Sequence, residues 1–445
     1  MKKSKNTLPE YVAVIYLGIR DIIPEIYFHI DYVEFKRDKY YSPSEKKTYI
    51  APLPPGYTRE FSPSVQSWVI GMKHDLNSTE SIMTQFLNNR GLEISCATIS
   101  RMLTKDIDVL HQEHHSIFLS GLRSLTYLQT DDTMARVNGK NYHTHIFCNN
   151  QFSSFFTKPN KDRLTLLDIL RVGKAREYII NSETIKMLRF WNLPEKRILM
   201  LTHLQSDRIY SQAEFDPILR KIFTDPKKQL LSYQKLIMEA AYIARYHQED
   251  CLTALVCDHA PQFKFLALFL SLCWIHEGRH YKKMCPIVPL HRKQLEEFRK
   301  QFWQFYKKLL DFKDAPSKKK AEAIGADFDA LCSFETTYSE LKERIAKTQA
   351  NKAELLYVLI DPAVPLHNNE SELGARKKVR DRDIRLHTMS DEGTRANDMF
   401  LSLRETARKQ GVGFMEYIFD RLSGAYTMTS LADLIPQNRP SFSTT

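Results

Sequence analysis

The sequence predicts an α/β fold, a mixed sheet carrying helical insertions. Three observations predict it. Segments rich in β-branched and aromatic residues cluster at 125–133, 141–149 and 151–158, with "NGK" at 138–140 as a hairpin turn between the first two. A separate apolar run, "CLTALVCDHA" at 251–260, reads as a buried strand. The stretches 172–250 and 291–356 are spaced as helices, the second with Gly325 as its only glycine.

In chain order, residues 24–51 alternate apolar and polar side chains, which predicts two or three short strands in a small module over 1–51. "PLPPGYTREFSPS" at 52–64 is a proline-rich linker. Within 65–120, "STESIMTQFLNNRG" carries a capping residue, apolar Ile82, Met83, Phe86 and Leu87, and a stop at Gly91. "ISCATISRMLTK" follows, with Ser95 as N-cap and Ile99, Met102 and Leu103 as its apolar face. Helix, glycine turn and capped second helix outline a helix-turn-helix, whose second helix exposes Thr98, Arg101 and Lys105 to phosphates or base edges. Any two-helix hairpin shares that outline. Residues 121–285 make the first part of the core, with the helical block 172–250 inside it. "DRLTLLDILR" (162–171) and "PQFKFLALFLSL" (261–272) both predict helices there. A helical insertion over 286–356 precedes C-terminal helices over 357–423. A tail follows over 424–445, whose end "PQNRPSFSTT" is expected to be disordered.

The chain has 445 residues, enough for two to four domains, and 43% hydrophobic content with 11% aromatics excludes a disordered chain. A formal net charge of +11 points to polyanions, nucleic acid first. The seven cysteines are scattered, odd in number and free of any C-x-x-C pair. That argues against a disulfide framework or zinc ribbon and for a reducing, cytoplasmic setting. The apolar N-terminal stretch is interrupted by Arg20, Asp21 and Glu25, so neither a signal peptide nor a membrane span is expected.

Three acids stand where chemistry collects. Asp131 and Asp258 each close an apolar strand segment, and Glu372 falls in the first turn of a helix. Acids gathered from separate elements repel one another unless divalent cations neutralise them, and Mg²⁺ prefers such oxygen ligands. Each acid also has a plain structural reading. An aspartate after a strand caps turns, and Asn369-x-x-Glu372 is a capping-box variant worth about 1 kcal/mol. Behind Glu372 come Arg376, Lys377, Lys378, Arg380 and Arg382, cations for a DNA backbone or a solvated helix face. Cys273 and His276 have a zinc-like spacing but no second pair nearby, which favours a core cysteine and a histidine near the site that contacts DNA or the second acid.

Four ordered motifs resemble the transposases of bacterial insertion sequences of the IS-sixty-six type, within the DDE transposase class. "QTDDTMARVNG" resembles the segment of the first acid and "ALVCDHAPQF" that of the second. "CWIHEGRHYKK" resembles the Cys-Trp-x-His-x-x-Arg signature at Cys273, Trp274, His276 and Arg279. "LHNNESELGARKKVR" resembles Asn-Asn-x-x-Glu-Arg-x-x-Arg and places the third acid at Glu372. The similarity runs from about residue 52 to 423, through "DEGTRANDMFLSLRETARKQGV" (391–412). The chain departs from the pattern at Leu373, where arginine is usual, at His367, where aspartate is frequent, and in lacking a cysteine-rich N-terminal segment.

The resemblance implies a ribonuclease-H-like core in which Asp131, Asp258 and Glu372 are catalytic and hold two Mg²⁺ ions, with Mn²⁺ as an alternative. It implies metal-dependent cleavage and strand transfer of DNA. His276, Arg279, Arg376, Lys377 and Arg380 join Thr98, Arg101 and Lys105 as expected DNA contacts. Expected partners are double-stranded DNA (terminal repeats and target), a second copy of the chain in the DNA complex and accessory proteins of the element, with no membrane. Two alternatives stay open: a catalytically silent DNA-binding derivative, and a nuclease of the same fold without strand transfer.

Overall fold

A computed structural model describes residues 28–54, 57, 61–204, 206, 208–223, 228–249 and 251–437. The expected N-terminal segment 1–27 and the last tail residues, 438–445, lie outside them. The first elements are an exposed antiparallel ribbon, β1 (Lys39–Ser42) with β2 (Lys47–Ile50). Helix α1 (Pro63–His74) starts within the expected linker, because Ser62 caps it and Pro63 is tolerated in its first turn. It is followed by α2 (Glu80–Asn88), capped by Thr79, α3 (Cys96–Met102), capped by Ser95, and α4 (Asp108–Leu122). Lys105 falls beyond the end of α3 rather than on it, since the helix closes at Leu103.

The core is one five-stranded mixed sheet. β3 (Tyr127–Val137), β4 (Lys140–Cys148) and β5 (Ser153–Lys158) form an antiparallel meander. Its first turn is Asn138–Gly139, both at positive φ (45° and 73°), the geometry that a two-residue hairpin demands and glycine supplies without steric cost. Asp131 is not at a strand end, contrary to the sequence reading. Pairing with β4 carries β3 six residues further, to Val137.

Helix α5 (Arg163–Leu170), capped by Asp162, leads into the expected helical block. There β6 (Glu177–Ile179), α6 (Ser182–Phe190), α7 (Glu195–Thr202), β7 (Ile209–Ser211), α8 (Gln212–Ile222) and α9 (Lys228–His247) follow. The block is not purely helical, because β6 and β7 pair as a short ribbon. β8 (Ala254–Cys257) then enters the sheet parallel to β3, and β9 (Phe269–Leu272) runs parallel to β8 at the edge. The helix expected over 261–272 is absent. Only the turn Pro261–Phe263 is helical, Phe265 takes φ 68°, and the rest pairs with β8. A short apolar run has no periodicity to separate helix from strand, and an open sheet edge decides it.

Helix α10 (Trp274–Lys282) enters the insertion, α11 (Pro289–Asp314), α12 (Lys318–Cys332), α13 (Ser339–Ala350) and α14 (Lys352–Leu355). Trp274 is its anchor. The indole is fully buried, donates Nε1–H to the Leu355 carbonyl at 2.8 Å and packs on Phe302, Phe305 and Phe328. Beneath it, buried Glu277 is met by Arg344 (Nε at 3.2 Å) and by Thr348.

Three helices finish the fold: α15 (Asn369–Arg385), α16 (Asp391–Lys409) and α17 (Phe414–Leu422). α15 lies on β3 and β4, and α16 on β5. Ile146, Cys148 and Phe155 face Ala375 and Leu401 there, while Phe147, on the alternate face, joins Phe118 of α4 in the larger core. The tail is not free over 424–437. Leu431 and Ile435 are buried, and Ser430 donates to Glu113 of α4 at 3.1 Å, because these apolar residues complete the core of the N-terminal helices. No helix among the described residues is long and apolar enough to cross a membrane.

Trp274→Ala is expected to cost about 3–5 kcal/mol, as for a fully buried large aromatic. Chemical denaturation followed by circular dichroism checks this. A loss under 1 kcal/mol would mean that the insertion is not tied to the sheet through the indole.

Candidate active site

The sheet register decides which acids meet. β3 pairs with β8 only from Tyr127 to Gln129, so Asp131 stands just past the last residue shared with β8. β8 ends at Cys257, and Asp258 is the next residue. The two aspartates therefore lie on neighbouring parallel strands near the end of β8, Asp131 within β3 and Asp258 one residue past β8. Glu372 arrives from the first turn of α15. Burial pushes the Asp131 carboxyl from about 3.8 up to about 7. The Asp132 N–H (2.8 Å to Oδ1) opposes the shift, and the charges of Asp258, Asp132 and Glu372 add to it. Asp258 also performs the plain role that its position suggests, accepting the Ala260 N–H at 3.0 Å.

Glu372 is held by cations. Arg279 Nη2 lies 3.1 Å from Oε2, and Arg376 Nη2, one turn along α15, 3.7 Å from the same oxygen. Arg279 Nη1 also donates to His276 Nε2 at 2.9 Å. A guanidinium has no acceptor, so Nε2 accepts and the imidazole proton sits on Nδ1. That Nδ1 lies 3.6 Å from Glu372 Oε1 and has no hydrogen-bond partner. The Cys-Trp-x-His-x-x-Arg segment thus divides its work by helix face. Trp274 goes to the core, and His276 and Arg279 go to the third acid rather than to Asp258.

Cys273, His276 and Glu372 have ligand atoms within 4.8 Å of one another. Burial raises the Cys273 thiol, and the backbone N–H groups of Asn368, His276 and Ile275 oppose that shift. The oxygens of Asp131, Asp258 and Glu372 do not all lie within 4.8 Å of one another.

The capping box expected at Asn369 and Glu372 does not form. Asn368 is the N-cap and makes no side-chain cap bond. Its amide is fully buried with Oδ1 and Nδ2 both unpartnered. Two residues unseen in the sequence fix the helix start instead. Gln129, two positions before Asp131, accepts the Glu370 N–H at 3.2 Å, and Lys409 of α16 bonds Glu370 at 2.6 Å.

The cations behind Glu372 do not form one open row. Arg376 and Arg380 are exposed, but Lys377 turns onto Glu405 and Lys378 is buried 3.2 Å from Asp398. The Lys377 amine is pushed down to about 8 by burial and by Arg408, Arg404 and Lys409. Lys377, Arg380, Arg404 and Arg408 line one cavity of about 390 Å³, and neither of the last two was expected from the sequence. Thr98, Arg101 and Lys105 are not part of the acid group. Arg101 is exposed and bonds Thr98 Oγ1 at 3.0 Å, whereas the Lys105 ammonium is 2.6 Å from Glu392, which compromises it as a free DNA contact.

The raised Asp131 pKa sets a pH dependence. The folded state keeps a proton that the unfolded chain releases near 3.8, so this contribution is fully present below that pH. It is lost as pH rises towards about 7. With a chelator present, Asp131→Asn is expected to be more stable than wild type at pH 8 and indistinguishable from it near pH 3.5. Urea midpoints at the two pH values check this, and equal midpoints at pH 8 would contradict the burial of the carboxyl.

No family model matches the chain. It is 31% identical over 306 residues to the uncharacterized protein y4jO of Sinorhizobium fredii (strain NBRC 101917 / NGR234). The match covers 68% of this chain and 94% of that one. The chain belongs to the same family as y4jO.

Proposed function

We propose that the protein is a DNA transposase of the DDE class with a ribonuclease-H-like core. The observation that carries the reading is that the charges of Asp258, at the end of β8, and Glu372, at the start of α15, both act on the partly buried Asp131 of β3. Like charges placed together away from water are unfavourable by themselves, and a divalent cation makes the arrangement favourable. The mixed sheet and the helical insertion before the helix of the third acid also support the reading.

Asp131, Asp258 and Glu372 would hold two Mg²⁺ ions, with Mn²⁺ as an alternative. Once bound, these ions supply activation of the attacking oxygen and neutralisation of the departing one. Water attacks a phosphodiester at the element end, the P–O3′ bond breaks and a 3′-hydroxyl is released. That hydroxyl then attacks target DNA, displacing a second 3′-oxygen. His276 and Arg279 orient Glu372, and Arg279 is placed to meet a phosphate once Glu372 turns to a cation. Arg376 and Arg380 follow the DNA backbone, and α2 with α3 acts as a helix-turn-helix on the element ends through Thr98 and Arg101. Joining two ends calls for at least two copies of the chain.

Asp258→Ala is expected to lower Mg²⁺-dependent nicking of the terminal repeats by about 10³-fold or more while leaving DNA binding intact. Wild type that binds and never nicks would sink the enzyme reading in favour of a silent derivative. Cut products without joined products would reduce it to a nuclease. Arg380→Ala should lower the slope of log affinity against log salt by about 1. An unchanged slope removes Arg380 from the DNA path.

A further inference from the structure

A second cavity lies away from the acids. It has a volume of about 510 Å³ and sits where α1 and α3 meet the far half of β3, the end of α15 and the start of α16. That is the size of a small-molecule site. Five cationic side chains line it against two carboxylates. Three of those cations have acidic partners: Lys73 with Glu80, Lys378 with Asp398, and Arg385 with Asp381 at 2.5 Å. Exposed Arg136 has no carboxylate partner among the described residues, and Arg382, 4.0 Å from Asp383, spends one donor on the Met134 carbonyl.

The deeper wall holds the stronger signal. His74 is 1% exposed, stacks near Phe400 (ring centroids 4.8 Å apart), and leaves Nδ1 without a hydrogen-bond partner. Arg385 Nε is likewise shut off from water and unpartnered. Buried donors are seldom left so in a folded protein. The surroundings are electropositive as well. Burial, then Arg385, Lys73, Arg404 and Lys378, hold the His74 imidazole well below its usual range. Leu103, Met134 and Phe400 give the same cavity an apolar side.

We infer that this cavity binds a small anion, a phosphate monoester or carboxylate on an apolar or ring-shaped body. Arg136 and Arg382 meet the charge above the electropositive wall of His74 and Arg385, and Leu103, Met134 and Phe400 surround the body. The inference does not rest on the transposase reading. It uses none of the acid group, although Arg385 and Glu372 share α15.

The test uses the full chain with inorganic phosphate, adenosine 5′-monophosphate and adenosine at constant ionic strength, read by calorimetry and thermal unfolding. The monophosphate is expected to bind and raise the melting temperature, phosphate to do so more weakly, and adenosine not at all. Arg136→Gln should weaken the monophosphate about tenfold or more, as loss of a charged hydrogen bond does. Ser100→Phe, which fills the cavity from half-buried α3, provides a second variant with every charge intact. It too should abolish binding. Absence of binding by wild type, or binding unchanged in Ser100→Phe, overturns the proposal. So does displacement of the monophosphate by a DNA duplex of unrelated sequence, which would assign these donors to a backbone phosphate.

Discussion

The arrangement depends on how closely α15 can lie on the sheet. A Cβ added at Gly374 would meet Ile146 Cγ2 at 3.1 Å, with Phe155 at 3.5 Å behind it. That is tighter than ordinary packing in an interior already near crystal density. Ala375, the next residue, is the other small side chain against Ile146 and Phe155. A larger residue at either place lifts the helix, and Glu372, two or three residues towards the N-terminus, lifts with it. The asymmetry of the sequence here, small residues on one helical face and charges on the others, follows from that contact.

Once seated, α15 assigns its charges by direction. Glu370 goes to Lys409, Glu372 to Arg279 and His276, Lys377 to Glu405, Lys378 to Asp398, and Asp381 to Arg385. What looks along the sequence like an acidic head and a basic body is a set of separate pairings around a helix. The partly buried pairs cost desolvation, so they specify position more than they add stability. Arg376 and Arg380 are left facing solvent.

Much of this was legible in the sequence. The meander, its Asn-Gly turn, the buried strand before Asp258 and the helix of Glu372 all carry local patterns of apolar period and turn chemistry. His276 was legible as near the acids, though placed with DNA or the second acid, and Arg279 was read only as a DNA contact. The misses share a cause. β9 is an apolar run that only a sheet edge turns into a strand, and β3 outlasts its parallel partner because of a hairpin. The cap at Asn369 fails because the helix starts one residue earlier, where Gln129, 241 positions before Glu370, accepts the Glu370 N–H. The inward turn of Lys377 depends on Glu405, and the burial of 431–435 on α4. Each is a contact between distant segments, and a local pattern holds no record of those.

The closing of the N-terminal helices by the C-terminus has a temporal side. α1 packs on α17, and the segment after α17 seals α4, so helices made early in synthesis meet part of their cover last. At ordinary translation rates the roughly 340 residues between them take on the order of tens of seconds to appear. Through that interval the parts of α1 and α4 that α17 and residues 430–435 cover stay open on the nascent chain. A chain cut short before residue 414 never buries them. A truncated product should therefore aggregate or be degraded rather than persist as a free competitor for the full-length protein's partners.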